Sequence, residues 1–586
     1  MFLKRRLRHK DGKRHTYYSV CESLRVHGGR TIQRQLLHLG ELNTTQFESW
    51  QHTLDVLHED GSRHQRRLFT DREGGAPPAE DVVEVKLSSF AVKQPRRFGD
   101  CWAGCHAWEQ LGLRGFWQER LAEEAGGVPW AKVLELLAVN RLLDPRSELY
   151  VHEKWFPQTA MDLLLGTDAA VAAKDRLYRC LDRIVAHKPA LEQHLAQKWR
   201  DLFGATFDVL LYDLTSTYFE GAAPEVPSAR RGYSRDHRPD CLQVVLALVV
   251  TPEGFPLTYE VFPGNTLDCT TLGTILDQVE QKHGKARRVW VFDRGIVSED
   301  NLALLRARGA HYLVGTPKRK LQAYEQKLLD GPWTKASAEV DVQLVPENDE
   351  VYVLCRSAGR QAKEKAMRRR WLRGLIGDLR ALRRRVAHGQ LKNPDLIQQA
   401  IGRLSERHPQ AWRWITVEYA AGAVHWTWDR EAFRRAVRIE GAYLLRAHWT
   451  EKDPAKLWQT YVQLTEAEAA FRTLKSELNV RPIWHWTEPR VEAHLLVAFL
   501  GYCLWVYLKK CCARAAPSLT PWTLLDQLRR IVLVEVWFET RDGGTICLPR
   551  ITQPEPAQVA LLAQLDWTLP AQPPPRIHPA QAAPPG

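Results

Sequence analysis

The chain has 586 residues, several times the length of one domain, and 44% of them are hydrophobic, which is enough to bury a sizeable core. Its 11 cysteines are scattered and its glycines and prolines follow no fibrous repeat, so a disulfide scaffold, a collagen-like fibre and a fully disordered chain are excluded. The net charge is +13, with 58 Arg and 24 Lys. Arg is the better bidentate partner for phosphate, so this balance favours nucleic acid without establishing it.

No apolar leader follows the basic N-terminal residues, and the longest apolar run, residues 495–508, is shorter than the ~20 residues of a membrane span. We interpret this run as a buried helix. The Cys101/Cys105 pair has no second pair of ligands at zinc spacing, so the cysteines are interpreted as reduced core residues of a cytosolic protein.

The first third of the chain falls into three segments. Residues 1–45 alternate in strand fashion around Gly28–Gly29, which predicts a small, basic, β-rich module. Residues 46–96 are polar and irregular and are interpreted as a linker. Residues 97–203 repeat apolar side chains at helical spacing, which predicts a helical domain. DNA binding and a plain scaffold role are equally open for it.

Strand patterns begin at residue 205. Residues 205–315 predict the order β-β-β-α-β-α-β, which fits a mixed α/β sheet with helices packed on it. Two of the predicted strands, 207–213 and 287–293, end in an aspartate.

The second half of the chain interrupts this pattern and then resumes it. Residues 316–440 predict an insertion in which four strand-like segments flank a basic helix, and residues 441–550 predict the helical second part of the core. Residues 551–586 are rich in proline and predict a tail without a packed core of its own.

Most of the excess positive charge lies in two places. Residues 356–392 contain 13 basic and two acidic residues, and residues 1–35 contain ten and two, so the rest of the chain is net acidic. A solvated charged helix is the ordinary explanation of such a run. The sign in 356–392 is nearly uniform, however, so ion pairs between helical turns cannot neutralise it. We therefore predict that this helix, with Arg368, Arg369 and Arg370, contacts a phosphate backbone.

Asp213 and Asp293 each follow an apolar strand of what is predicted to be one sheet. Carboxylates at neighbouring strand ends repel each other unless a divalent cation lies between them, and their hard oxygen atoms suit Mg²⁺ or Mn²⁺. A third ligand is expected from a helix packed on the sheet.

A predicted helix at 455–478 offers that ligand. Side chains at steps of three and four residues share one of its faces: Tyr461, Leu464, Glu468, Arg472 and Lys475. From spacing alone, a metal-binding Glu468 and an exposed Glu468–Arg472 ion pair are both open.

The pattern Tyr461-x2-Leu464-x3-Glu468-x6-Lys475 resembles the Tyr-x2-Arg-x3-Glu-x6-Lys signature of insertion-sequence transposases of the DDE class. Five further blocks are similar to that family: Asp213-Leu-Thr-Ser-Thr-Tyr-Phe-Glu-Gly221, Gly232-Tyr-Ser-Arg-Asp-His-Arg-Pro-Asp240, Phe292-Asp-Arg-Gly295, Ala470-Phe-Arg-Thr-Leu-Lys475 and Arg481-Pro-Ile-Trp-His-Trp486. The chain departs from the signature at Leu464, where Arg is usual. The resemblance therefore does not carry over one phosphate or end contact, whereas it keeps all three metal ligands.

The resemblance implies an RNase H-like core with a β-rich, basic helical insertion. It implies that Asp213, Asp293 and Glu468 are the catalytic metal ligands and hold two Mg²⁺ ions, for which Mn²⁺ can substitute. Water would then release a 3′-OH at the end of the element, and this 3′-OH would attack target DNA.

The resemblance also implies that Tyr461, Arg472 and Lys475 position DNA near the scissile phosphate. Arg238 is a further candidate DNA contact, with a solvated loop residue as the alternative.

The implied partners are double-stranded DNA, both as terminal inverted repeats and as target, and a second copy of the chain in a synaptic homodimer. Such a protein is expected in the cytoplasm, associated with the nucleoid, without a membrane partner. No Gly-x4-Gly-Lys-Ser/Thr loop is present, so no nucleotide cofactor is expected. A structure-specific nuclease on the same core and a catalytically silent DNA-binding derivative are the alternatives.

Overall fold

The computed structural model describes eight stretches of the chain: residues 2–10, 13–25, 31–41, 83–121, 127–221, 223–285, 287–516 and 518–579. The predicted turn at Gly28–Gly29 and most of the predicted linker lie outside the described residues.

The strands, in chain order, are β1 (Phe2–Lys10), β2 (Lys13–Arg25), β3 (Thr31–Glu41), β4 (Val85–Val92), β5 (Arg96–Arg97), β6 (Val209–Tyr218), β7 (Gln243–Val250), β8 (Pro256–Pro263), β9 (Val289–Phe292), β10 (His311–Gly315), β11 (Thr334–Lys335), β12 (Val340–Glu347), β13 (Glu350–Ser357), β14 (Ile415–Ala420), β15 (Ala423–Trp428), β16 (Ala442–His448), β17 (Val532–Thr540), β18 (Thr545–Ile551) and β19 (Arg576–His578).

The α-helices are α1 (Gly99–Gln110), α2 (Leu113–Arg120), α3 (Trp130–Leu143), α4 (Glu148–Tyr150), α5 (Met161–Leu165), α6 (Lys174–Ile184), α7 (Lys188–Phe203), α8 (Leu272–His283), α9 (Glu299–Ala307), α10 (Glu325–Asp330), α11 (Ala358–Ala387), α12 (Pro394–Arg407), α13 (Pro409–Trp412), α14 (Arg430–Arg438), α15 (Pro454–Val462), α16 (Leu464–Arg472), α17 (Glu488–Ala515), α18 (Pro521–Arg529) and α19 (Pro556–Leu565).

The larger of two compact units, Gly104–Val151 with Ala170–Lys510, is built on one nine-stranded sheet, here called the central sheet. Its strand order is β11-β12-β13-β16-β10-β9-β6-β7-β8. Strands β6, β7 and β8 are antiparallel neighbours, whereas β9 pairs in parallel with β6 and β10 pairs in parallel with β9. This is the strand order of an RNase H-like sheet, so the predicted fold class is confirmed.

All eight residues of β7 are buried, which is typical of a strand that is covered on both faces. Helices α7 and α16 pack against this part of the sheet. The order β-β-β-α-β-α-β predicted for 205–315 is the order observed, from β6 to β10.

The predicted insertion, 316–440, is only partly an insertion. All four of its predicted strands exist, as β12 to β15, but β12 and β13 extend the central sheet and only β14 and β15 form a separate hairpin. Strand β13 pairs with β16, and Val351 lies opposite Ala447. The segment that leaves the central sheet, here called the excursion, therefore begins with α11 at Ala358. It contains α11 to α14 and the hairpin of β14 and β15. Local periodicity could not show this, because the partner strand comes about ninety residues later in the chain.

The described residues of 99–203 are largely helical, as predicted, but the segment is divided between the two compact units and is not one domain. Helix α7 forms a structural layer on the central sheet. The Glu192 carboxylate of α7 is fully buried, Lys282 Nζ of α8 lies 2.7 Å from it, and Thr258 Oγ1 of β8 donates a hydrogen bond of 2.9 Å to it. These contacts favour the scaffold interpretation of the segment. Its contact with DNA stays a prediction.

Helix α17 is long and apolar enough to cross a membrane by length and composition, with a mean hydropathy of 1.7 in its most apolar window. In the described part of the chain 94% of that window is buried inside the protein. The run 495–508 lies within α17, so its interpretation as a buried helix is confirmed.

The smaller unit comprises Met1–Ala103, His152–Ala169 and Cys511–Gly586. Strands β1 to β3 form an antiparallel sheet, in agreement with the predicted β-rich module at 1–45. A second sheet has the order β19-β18-β17-β4, and β5 also pairs with β17. The prediction of a linker at 46–96 was therefore wrong at its C-terminal end, because β4 and the start of β5 belong to this sheet. The prediction of a core segment at 441–550 was wrong at its C-terminal end, because β17 and β18 belong to the same sheet.

The prediction that 551–586 has no packed core was also wrong. Helix α19 buries Leu561, the Trp567 ring packs edge-on against Trp102 at 5.8 Å between centroids, and β19 pairs with β18. The proline content was misleading because Pro556 occupies the first turn of α19, where its missing N–H costs nothing.

Candidate active site

The predicted strand 207–213 ended at Asp213. In the structure Asp213 lies in the middle of β6 instead. The strand continues because residues 214–218 keep their pairing with β7, from Leu214 opposite Ala247 to Tyr218 opposite Gln243. The Asp213 side chain is half-buried, and its Oδ1 accepts a hydrogen bond of 2.8 Å from the backbone N–H of Leu214.

Asp293 directly follows β9, as predicted. Because β6 and β9 are parallel and Tyr212 pairs with Phe292, the two aspartates occupy equivalent positions on adjacent strands. Asp293 is exposed.

Glu468 lies on α16, which packs on β6 and β7 through a face that includes Ala467, Ala470 and Phe471. Glu468 itself is exposed. Helices α15 and α16 and a π-helical turn at Thr473–Glu477 form an almost unbroken helical run, as predicted for 455–478. Three elements thus bring together Asp213, Asp293 and Glu468, which we call the carboxylate triad.

The electrostatics of Asp213 show that the triad shares one environment. Burial raises the pKa of Asp213 to about 7; the Leu214 N–H and Arg235 oppose the rise, and the negative charges of Glu468 and Asp293 add to it. A cation bound there would have to displace this proton, and it would in turn relieve the repulsion between the carboxylates. The donor set is all oxygen, which fits Mg²⁺ or Mn²⁺.

A different group is the most compact metal-ligand arrangement of the described residues. Side-chain ligand atoms of Glu148, His485 and His494 all lie within 4.8 Å of one another, and the carboxylate triad is spread more widely. His494 Nε2 donates to the Val480 carbonyl at 3.1 Å, and the Arg141 guanidinium lies 3.5 Å from its Nδ1. Burial and the Arg141 charge lower the pKa of His494. Glu148 Oε1 lies 3.5 Å from His485 Nε2, so the members of this buried cluster already have partners within the protein.

Tyr461 is mostly buried, and its hydroxyl donates a hydrogen bond to Asp293. Burial and the negative charge of Asp293 raise the pKa of this hydroxyl. The space comes from Gly315 at the end of β10, because a Cβ atom there would lie 2.6 Å from the Tyr461 Oη and 3.4 Å from Asp293 Oδ1. Tyr461 therefore lies against a carboxylate of the triad, and its contact with DNA stays a prediction.

The Gly315→Ala variant is expected to remain folded and to lose activity by about tenfold or more, because the added carbon displaces Tyr461 from Asp293. Rates of DNA end cleavage and melting temperatures would be compared with those of Gly273→Ala, whose added carbon lies 3.8 Å from the Leu304 side chain. Equal activity of both variants would contradict the role given to Gly315.

One site residue, Arg235, could not be singled out from the sequence, although it lies in a motif block. Arg235 donates to both carboxylate oxygens of Asp268 at 2.6 and 2.7 Å, and its backbone N–H donates to Ser216 Oγ of β6 at 3.0 Å. Arg235 thereby places a positive charge close enough to Asp213 to lower its pKa. Arg235 lies in the quoted block Gly232–Asp240, but only the fold shows which of its cations faces the triad.

The predicted DNA contacts differ in availability. Arg472 is exposed, whereas the Lys475 ammonium lies 2.7 Å from Asp236 Oδ1 and is largely buried. Arg238 pairs with Asp240 at 2.9 Å and with Glu220 at 3.4 Å, so two acids already offset its charge.

The basic helix is α11, and its three central arginines are not equivalent. Arg369 and Arg370 are exposed. The Arg368 guanidinium is 12% exposed, lies 2.5 Å from the buried Glu440 carboxylate and stacks over the Phe433 ring. An ion pair with Glu440 therefore already holds Arg368, and its contact with DNA stays a prediction.

The site thus combines an RNase H-like sheet with three acidic side chains from β6, β9 and α16. Residues 205–504 match the family model described as "Transposase DDE domain". No curated protein matches the chain. The chain is also similar to piggyBac transposase in the cryo-EM structure of its synaptic complex with hairpin DNA, with 8% identity and a TM-score of 0.35, over 75% of this chain and 82% of that chain.

The match to the family model covers more than half of the chain, and the chain belongs to the family of transposases with a DDE domain. It is therefore a DNA transposase by family, and this family generally uses divalent metal ions in nuclease and transferase chemistry.

Proposed function

We propose that the chain is the transposase of an insertion sequence, which binds the terminal inverted repeats of its element, cleaves the DNA there and joins the released ends to target DNA. The observation that carries the proposal is the assembly of the carboxylate triad from β6, β9 and α16 beside the cation Arg235. The match of residues 205–504 to a transposase DDE domain supports it.

Asp213, Asp293 and Glu468 are the residues that would hold two Mg²⁺ ions. Bound there, such ions would supply Lewis acidity that stabilises the attacking and leaving oxygens of an in-line phosphoryl displacement. The raised pKa of Asp213 and the all-oxygen donor set support this assignment, because both describe a site that gains from a hard cation.

The side chains around the triad have positioning roles in this scheme. Tyr461 fixes Asp293 through a hydrogen bond, and Arg235, itself held by Asp268, supplies positive charge next to Asp213. Water would attack first and free a 3′-OH, and that 3′-OH would then attack the target strand. The leaving group in each step is a DNA oxygen, so no covalent enzyme intermediate is needed.

The exposed basic face of α11 would hold double-stranded DNA, with Arg369 and Arg370 as its phosphate contacts. A homodimer would bring two element ends together. The near-uniform positive charge of α11 supports DNA binding by this helix, because a phosphate backbone relieves the repulsion between its arginines.

The test uses the purified full chain, a duplex with the terminal inverted repeat of its own element, a target plasmid and Mg²⁺. We expect free 3′-OH ends and joined products on sequencing gels. Cleavage without joining would replace this proposal with a structure-specific nuclease, and binding without cleavage would replace it with a silent derivative.

Replacing Arg369 and Arg370 together with alanine is expected to weaken end binding and to reduce the slope of log affinity against log salt by about one for each lost phosphate contact. Fluorescence anisotropy at several salt concentrations measures both. The matched control is Arg407→Ala, whose 71% exposed guanidinium already pairs with Asp378. A slope equal to that of wild type in the double variant would contradict this role of α11.

A further inference from the structure

A buried aspartate outside the carboxylate triad joins two cations beside the site. Asp236 Oδ1 lies 2.7 Å from Lys475 Nζ and also accepts a hydrogen bond from Arg481. The Asp236 side chain is 3% exposed, that of Lys475 is 11% exposed and that of Arg481 is 30% exposed. We call these three residues the Asp236 bridge.

The bridge leaves positive charge and hydrogen-bond donors unused. Lys475 has three N–H donors and Arg481 has five, and each gives one to the same carboxylate oxygen. Within the described residues neither cation has another hydrogen-bond acceptor. Two cations against one carboxylate leave a net charge of about +1 in a largely buried place, so one further anion would complete the arrangement.

The bridge is connected to the triad at two points. Lys475 lies in the π-helical turn that directly follows α16, the helix of Glu468. Asp236 follows Arg235, whose backbone N–H donates a hydrogen bond to Ser216 Oγ on β6, the strand of Asp213. Both lie in a turn in which His237 N–H donates to the Ser234 carbonyl, and His237 has a positive φ of 57°. The turn therefore fixes Arg235 towards the triad and Asp236 towards Lys475.

We propose that Asp236 is a positioning residue that holds Lys475 and Arg481 as a pair for one phosphate group of the DNA strand, next to the triad. This rests on the proposed function and adds Arg481 and Asp236 to it. A phosphodiester carries one negative charge and two free oxygens, so it matches both the net charge of the bridge and its two donor groups. Without Asp236 the two cations would repel each other and separate.

The same contacts allow an opposite role, in which Asp236 withholds Lys475 and Arg481 from DNA. The two roles predict opposite results. As a positioning residue, Asp236 increases DNA affinity and its loss weakens binding. As a competitor of DNA, it would decrease affinity and its loss would strengthen binding.

The experiment measures binding of end duplexes without metal, so that no cleavage occurs. Each duplex of a series has a neutral methylphosphonate in place of one phosphate around the cleavage point. For wild type we expect one position at which this change weakens binding by about tenfold. The Lys475→Ala/Arg481→Ala variant should bind that duplex and the unmodified duplex equally, and Lys475→Arg should keep most of the discrimination.

Asp236→Asn tests the positioning role. In the wild-type background we expect it to reduce the difference in affinity between the unmodified duplex and the duplex modified at that position. In the Lys475→Ala/Arg481→Ala background we expect no further effect. An aspartate that only stabilises the fold would weaken binding in both backgrounds and would overturn the proposal. Tighter binding by Asp236→Asn would overturn it in favour of the withholding role.

The alanine and arginine variants leave Asp236 intact, so they test the phosphate site even where Asp236→Asn unfolds. If no methylphosphonate position distinguishes wild type from Lys475→Ala/Arg481→Ala, the bridge is refuted as a phosphate site. Cleavage and joining of the unmodified duplex by wild type in Mg²⁺ are scored separately. If wild type cleaves and joins but no methylphosphonate position distinguishes the two proteins, only the bridge is rejected. If wild type neither cleaves nor joins, the proposed function is rejected.

Discussion

Asp213→Asn is expected to lower the rate of Mg²⁺-dependent end cleavage by at least about 10³-fold while end binding is retained, because the loss of a ligand forfeits several kcal/mol of transition-state stabilisation. Asp293→Asn and Glu468→Gln should show the same pattern. Single-turnover cleavage and strand transfer on an end duplex measure the loss, and anisotropy without metal measures binding.

Two matched variants distinguish the triad from its acidic neighbours. Asp208→Asn makes the same change at an exposed position just before β6, and Glu466→Gln makes it on α16 where the side chain pairs with Lys509 at 3.0 Å. Both should cleave within a few-fold of wild type. Full strand transfer by Glu468→Gln would remove Glu468 from the site.

Lys282→Met is expected to lower the free energy of unfolding by about 3–5 kcal/mol, because it leaves the fully buried Glu192 carboxylate without its closest cation. Burial already raises the pKa of Glu192 above its ordinary value, and Lys188 and Lys282 oppose the rise. In the variant that opposition weakens. The folded state then holds the Glu192 proton more tightly than the unfolded chain does, and stability falls as the pH rises above about 4.3.

Urea unfolding followed by circular dichroism measures the effect, and the deficit should be larger at pH 8 than at pH 5. Lys285→Met is the control, since Lys285 is exposed three residues further on. A deficit that is equal at the two pH values, or equal in both variants, would contradict a buried ion pair between α7 and α8.

The sequence predicted the segments of the central sheet because β7 and β9 are apolar runs with clear local patterns. It also placed Asp293 directly after a strand and Glu468 within a helix, as observed, whereas Asp213 lies in the middle of β6. The order of the strands in the sheet could not be predicted from the sequence. Strand β13 pairs with β16 about ninety residues later in the chain, and no local pattern records such a pairing.

Ion pairs set the other limit of prediction. The bridge between Asp236 and Lys475 joins residues 239 positions apart, and Arg368 meets Glu440 at a separation of 72. A run of arginines shows a helix surface with excess charge, but only the fold shows which member has an internal partner. For this reason the sequence did not show that Glu440 holds Arg368, and Arg235 and Asp236 were passed over in their block.

The location of the metal ions tests the central claim most directly. Fe²⁺ bound in place of Mg²⁺ reduces added hydrogen peroxide to hydroxyl radicals, which cut the polypeptide near the ligands. Mass spectrometry of the fragments identifies the cuts. We expect cuts near Asp213, Asp293 and Glu468, suppressed by excess Mg²⁺ and lost in Asp213→Asn. Cuts confined to the surroundings of Glu148, His485 and His494 would contradict the account, because they would place the metal in the buried network instead of the carboxylate triad.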